Sequence, residues 1–347
     1  MMLRTVLTLI AISFIFFSCD LETGMDENGD TEESSKVFIL NEGQFGNSNA
    51  EITAYEPQTG EINPQYFNQV NDRQLGDVGQ SMTVIDDELF IVVNNSHRIE
   101  VVDPNSLELQ GSIEIQKEAS PRVIADRGNG EALVANLFSD SLAVVDLNSY
   151  EQTGWINVEN GSDNIAVDGD HALIHQNEYN FETERVENWI IHFDLEQEET
   201  LNTLEFDGEP VAFATDAEGY VWVKVSNEES PYLSVRDVTG GEEADRFDLP
   251  AMVSSIAFDE DGGRLFAATY QGIMILDTES GEIIDESFVE ADGLSTIGFD
   301  HITREYVLAA SAPDFETRDD VFVFDTEGNA VDTLQAGYNP RAFHFSE

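Results

Sequence analysis

Ser81-Met-Thr-Val-Ile-Asp-Asp-Glu-Leu-Phe-Ile-Val-Val-Asn-Asn-Ser-His-Arg-Ile-Glu-Val-Val-Asp103, continued by Pro-Asn-Ser-Leu-Glu-Leu-Gln-Gly-Ser-Ile-Glu-Ile115, reads as four short strands. Residues 81–85, 88–94, 98–103 and 108–115 carry the apolar and β-branched side chains. Asp86-Asp87, the Asn-Ser-His run and Asp103-Pro-Asn-Ser punctuate them as turns. The same unit recurs along the chain. Its acidic anchors are Glu56, Asp103, Asp146, Asp194, Asp237, Asp277 and Asp325, spaced 40 to 48 residues apart. Strand-rich repeats of that period predict an all-β fold, a seven-bladed β-propeller with four-stranded blades.

The two ends of the repeat region complete each other. Residues 37–42 read as a second strand with no inner strand before it, and 340–345 as an inner strand with nothing after it. With residues 51–55 and 65–69 they make one blade. The ring is therefore expected to close by pairing the C-terminal strand with the N-terminal blade, removing two open sheet edges. The propeller domain is residues 36–347.

Residues 1–18 read as a lipoprotein signal peptide. Arg4 supplies a positive start, and the apolar stretch from Leu7 to Phe17 is too short to span a bilayer. Cys19, the only cysteine, stands where lipid would be attached. Residues 19–35 are rich in Asp, Glu, Gly, Ser and Thr, as expected of an acidic flexible tether.

Acids number 70 against 15 bases, giving a formal charge of −55, and only Lys36, Lys117 and Lys224 are lysines. That charge repels nucleic acid, whose binding rests on neutralised phosphates. It also disfavours electrostatic attraction to anionic membranes, so the expected membrane contact is the lipid alone. The acids are spread over every repeat, which fits a protein adapted to high salt.

Function is expected on the face that carries the loops between blades and those joining second to third strands. The longest segments lie there: residues 42–50, 67–80, 175–188 and 311–320. Asn41, Asn94, Asn95 and Asn136 end the second strands, and His175-Gln176-Asn177 ends the fourth. Amides there suit a neutral polar ligand, although Asn also caps strands and turns. Phe45, Phe138, Tyr179, Tyr270 and Tyr338 are placed to stack on a flat ligand. His97 and His175 are possible metal ligands without a partner at a usual spacing. The Asp259-Glu-Asp turn is the densest acidic cluster, yet it lacks an EF-hand loop. No nucleophile motif, phosphate loop or catalytic carboxylate pair stands out, so a non-enzymatic role is expected and no cofactor is implied.

Asn41-Glu-Gly-Gln-Phe-Gly-Asn-Ser-Asn, Tyr55-Glu-Pro-Gln-Thr-Gly, Leu75-Gly-Asp-Val-Gly-Gln-Ser-Met and Leu89-Phe-Ile-Val-Val-Asn-Asn-Ser resemble the YncE-like propeller lipoproteins, in particular the cobalamin-binding BtuG group. The resemblance implies a surface lipoprotein of a Gram-negative outer membrane. It would capture cobalamin or another corrinoid and pass it to a TonB-dependent transporter. It places Asn41, Phe45, Asn94 and Asn95 in matched motifs; Asn47, on the first of these loops, is a further candidate ligand contact. The rival readings are a metal-dependent, lactonase-like hydrolase and a protein-interaction or adhesion platform.

Overall fold

The computed structural model describes residues 35–346 except 228, 312, 313 and 315. The signal segment, Cys19, the tether up to residue 34 and Phe315 lie outside the described residues.

Seven four-stranded antiparallel sheets form the fold. Second and third strands are apolar and almost wholly buried, as in Glu88–Val93 and Arg98–Val102. They are covered on both faces by neighbouring blades. Seven hydrophobic clusters fill the seven junctions; Phe90, Val101, Ile124 and Val134 mark one, and Phe266, Ile275, Ile297 and Val307 another. Outer strands are the exposed ones, and Glu243–Asp248 and Ile283–Glu290 each carry three acids. Charged edges discourage pairing with another chain.

The anchors act locally. Asp103 accepts from the N–H groups of Asn105 (2.9 Å) and Ser106 (2.8 Å), and Asp277 from those of Glu279 (3.2 Å) and Ser280 (2.8 Å). Asp146, Asp194 and Asp325 hold their turns in the same way. Donation from backbone N–H groups holds the carboxyls of Asp103, Asp146, Asp194 and Asp277 below the ordinary range. At Asp237 the Thr239 hydroxyl is the largest cause, and at Asp325 the Asn329 amide. On the same face Asp86 and Asp87 both take positive φ, 48° and 63°, making the tight hairpin turn their sequence suggests.

Two sequence expectations are corrected. The outer strand of the first blade is Glu61–Asn63, and residues 65–69 belong instead to a helix, Tyr66–Asn71. Pro64 cannot donate to a ladder and Gln65 turns left-handed at φ 56°, so the strand stops. Phe67 then plugs the junction between the first two blades at 0% exposure. Asn71 fixes the helix by donating to the Leu107 carbonyl (2.9 Å) and accepting from Leu109 N–H (2.8 Å). The 175–188 insertion is a projecting hairpin and not a loop. His171–Asn180 and Arg185–Asp194 stay paired to its tip, Asn180 opposite Arg185.

Closure follows the expected scheme. Pro340–Phe345 is the inner strand of the blade built from Val37–Asn41, Glu51–Glu56 and Glu61–Asn63. Ser346 N–H donates to the Lys36 carbonyl (2.9 Å) and Lys36 N–H to the Ser346 hydroxyl (2.7 Å). A chain ending at Asn339 is expected to lose its cooperative unfolding transition in urea. A single transition with unchanged midpoint would contradict this seam.

Candidate functional site

The upper face carries the connections between second and third strands and those between blades. Four side chains more than 70% exposed stand out there: Phe45 (79%), Phe138 (75%), Phe181 (86%) and Tyr270 (75%). They come from four different second-to-third connections, in blades one, three, four and six. Tyr179 is exposed beside Phe181, with ring centroids 5.0 Å apart and edge to face. Tyr338 is half-buried near the Arg318 guanidinium. A cleft of about 620 Å³ runs along the projecting hairpin, lined by Thr183, Val186, Asn188 and Glu209.

The expected ring of amides is not a ring of ligand contacts. Asn41 is buried. Its amide donates to the Ile39 carbonyl (3.1 Å), the Glu51 carbonyl (3.3 Å) and the Thr53 hydroxyl (3.2 Å), and it accepts from Gly337 N–H (2.8 Å). Asn136 repeats the device toward Val134 (2.8 Å) and Ser141 (3.2 Å). The Asn94 amide donates to the Pro121 carbonyl of the next blade (2.8 Å). All three cap strand ends, and Asn41 and Asn94 also join neighbouring blades. Asn95 is half-buried and donates to Asp77 (2.8 Å). Asn47 is exposed on the first loop and Asn177 half-buried on the hairpin. His97 takes a left-handed φ of 52° to end a 3₁₀ turn. Among the described residues no group of three His, Cys, Asp or Glu side chains could hold a metal. Asp259 is neutralised by Arg264 (2.6 Å) and Arg304 (2.6 Å), so this member of the acidic cluster is an internal ion pair.

His175 has a different setting. It is 1% exposed, and its ring nitrogens make only contacts short of hydrogen-bond geometry, toward the Asn188 side chain and the Pro210 backbone. Its Nδ1 lies 3.9 Å from Asp163. Burial drives its pKa down, against the nearby Asp163 charge. The ring is therefore neutral at pH 7.

Beside it lies a constellation that strand patterning does not reveal. All seven inner strands slip register once near their upper ends. Each slip leaves one residue out of the ladder: Arg341, Gln80, Arg122, Asp163, Val211, Ser254 and Ser295, in ring order. A bulge re-aims its side chain. Six of these seven are polar, on strands otherwise largely apolar. Arg122 reaches both flanking inner strands, Asp163 at 2.6 Å and Gln80 at 2.8 Å, which places it on the inner rim of the channel.

Lys224 joins them from the second strand of blade five. It donates to the Ser254 carbonyl of blade six. Register places it level with Leu40, Val92, Ala135, His175, Ala268 and Ala310 in the other blades. Only blades four and five break that apolar pattern. Burial, then the positive charge of Arg341 on the far side of the mouth, lowers the Lys224 pKa to about 8. The Pro-Arg pairs at 121–122 and 340–341, and a lysine inside Val-Trp-Val-Lys-Val, were the available sequence signals.

The chain belongs to the DUF5074 family. The model of that domain of unknown function matches residues 35–284. The match takes in Gln80, Arg122, Asp163, His175, Lys224 and Ser254. No functionally curated protein matches. Among solved structures the chain is similar to hydrazine synthase of Kuenenia stuttgartiensis, at 16% identity and a TM-score of 0.57, over 76% of this chain and 88% of that one. At such identity the likeness concerns the fold. In all 1222 solved chains match, as expected for a scaffold shared by many functions.

A lysine whose pKa falls on folding opposes the folded state while it is charged. The native group releases its proton above about 8, whereas the unfolded one holds it to about 10.5. Stability should therefore rise with pH across that window. Lys224→Met is expected to raise the unfolding free energy by about 1–2 kcal/mol at pH 7, with a smaller gain at pH 9.5. Urea melts at the two pH values check this; a destabilised variant would contradict it.

Proposed function

We propose that this protein captures a small amphipathic ligand on its upper face and acts by binding, not by catalysis. The observation that carries the reading is that the four most exposed aromatic side chains among the described residues, Phe45, Phe138, Phe181 and Tyr270, all stand on second-to-third strand connections of one face. Exposing that much aromatic surface in water has no folding benefit, and a concentration on one side marks an interaction site. Separate blades hold the rings apart, so they form a shallow crown that needs little ordering on binding.

Cobalamin or another corrinoid is the leading cargo. Such a molecule is broad and flat with an amide fringe, matching aromatic faces with Asn47, Asn95 and Asn177 among them. The amide contribution is narrower than the sequence suggests, because Asn41, Asn94 and Asn136 are engaged internally. We further propose that lipid at Cys19 holds the propeller at the outer membrane, at the cell surface beside a TonB-dependent transporter. Tethering would raise the local ligand concentration there. The hairpin tip with Phe181 is assigned to that partner as well as to the cargo.

Gel filtration with cyanocobalamin tests the reading. Corrinoid absorbance should travel with the protein at micromolar concentration. The combined Phe45→Ser, Phe138→Ser, Phe181→Ser and Tyr270→Ser variant should keep its melting temperature and bind about a hundredfold more weakly. No co-migration, or unaltered binding by the variant, would overturn the cargo assignment.

A further inference from the structure

Lys224 is anomalous for this chain. Acids outnumber bases 70 to 15, so a carboxylate partner is easily supplied. Arg98, Arg264, Arg304 and Arg318 each meet a buried carboxylate, on Glu100, Asp259 or Glu51. Yet among the described residues none lies within ion-pair distance of Lys224. It stands half-buried where five other blades place an aliphatic side chain, bonded only to the Ser254 carbonyl. An ammonium has three N–H donors, so two remain.

The surroundings repeat the theme. Arg341, at the bulge of blade one, is exposed and meets Glu42 only at 3.4 Å. Arg122 places Nε and Nη1 on Asp163 and Gln80, and Gln80 accepts through its carbonyl oxygen, leaving its NH₂ group. Behind Asp163 stands the buried His175, its Nδ1 3.9 Å from that carboxylate. At the level of the bulges the cations Lys224, Arg341 and Arg122 stand with one carboxylate, Asp163, while Glu42 and Glu209 lie one position higher, so the mouth lacks the acidic excess of a molecule of charge −55. A cation kept unpaired and half out of water works against folding, and the Arg341 charge adds to the cost. An incoming anion relieves both the desolvation and the repulsion.

We propose that the upper mouth of the central channel is a binding site for an anionic group, a carboxylate or a phosphate, with Lys224 and Arg341 as its cationic contacts. This rests on the reading that the upper face is the ligand face, and it deepens that reading. The aromatic crown holds the flat body of the ligand, and the mouth takes its acidic group. The site is a receptor for charge, with no bond made or broken.

The presence of only three lysines makes the test direct. Biosynthetic incorporation of [ε-¹³C]lysine into the full mature chain labels Lys36, Lys117 and Lys224 with every N–H donor retained, and Lys224→Arg assigns the third resonance. Inorganic phosphate, or succinate in a second arm, is titrated against chloride at constant ionic strength and pH 7. The Lys224 resonance should shift saturably with at least one of them, while those of Lys36 and Lys117 stay still. Arg341→Gln should raise the midpoint roughly tenfold or more, since it removes a charge-assisted contact. Three resonances drifting together, no saturable shift with either anion, or an unchanged midpoint in Arg341→Gln would overturn the site. A saturable response without corrinoid binding removes the cargo assignment alone. Corrinoid binding without that response removes the anion site alone.

Discussion

The pairing of Val37–Asn41 with Pro340–Phe345 is the constraint on which the rest of the ring depends. Each blade buries its two faces only against its neighbours, so an open ring would expose two apolar faces together. Closure also gathers the polar contacts that join blade seven to blade one. Arg318 meets the buried Glu51, Gly337 N–H meets Asn41, and Glu42 N–H meets the Asn339 carbonyl (3.0 Å). These contacts link residues nearly 300 positions apart. Such long-range pairing is slow to form and cooperative once formed.

Closure separates two chemistries. One face holds short turns in which an acid accepts hydrogen bonds from the backbone two to four residues on. Those turns are self-contained and leave little variety for a ligand. The other face holds the variable connections, the projecting hairpin, the exposed rings and the seven bulges. Each bulge leaves one inner-strand residue out of the ladder near its upper end, and these seven positions are free to differ in side chain. Arg122, Asp163, Arg341 and the neighbouring Lys224 use that freedom.

Much of the fold was legible in sequence because its signals are local. Anchors such as Asp103 and Asp277 shape their own turns, and residues 88–93 announce a buried strand by composition. The outer strand of blade one was misplaced because Tyr66-Phe-Asn-Gln-Val fits an extended pattern as well as a helical one. Packing of Phe67 between two blades decides the matter, and that packing is tertiary. The exposed rings of Phe45, Phe138, Tyr179 and Tyr270 lie on the expected face because loop position follows from strand order. The amides of Asn41 and Asn136 left two readings open in sequence, because an asparagine ending a strand can cap its own backbone or meet a ligand, and the structure shows the capping bonds. The channel mouth is not legible from patterning alone: Arg122, Arg341 and Lys224 show in sequence as polar residues in apolar strands, but which of them share a rim depends on register.

Hydrogen–deuterium exchange of the full mature chain, with and without saturating cyanocobalamin, tests the central claim that one crown of connections is the capture surface. Protection is expected in residues 42–50, 137–140, 177–188 and 270–271, with the acidic turns at 103–106, 146–149 and 277–281 unchanged. Protection centred on those turns, or none at all, would contradict the account.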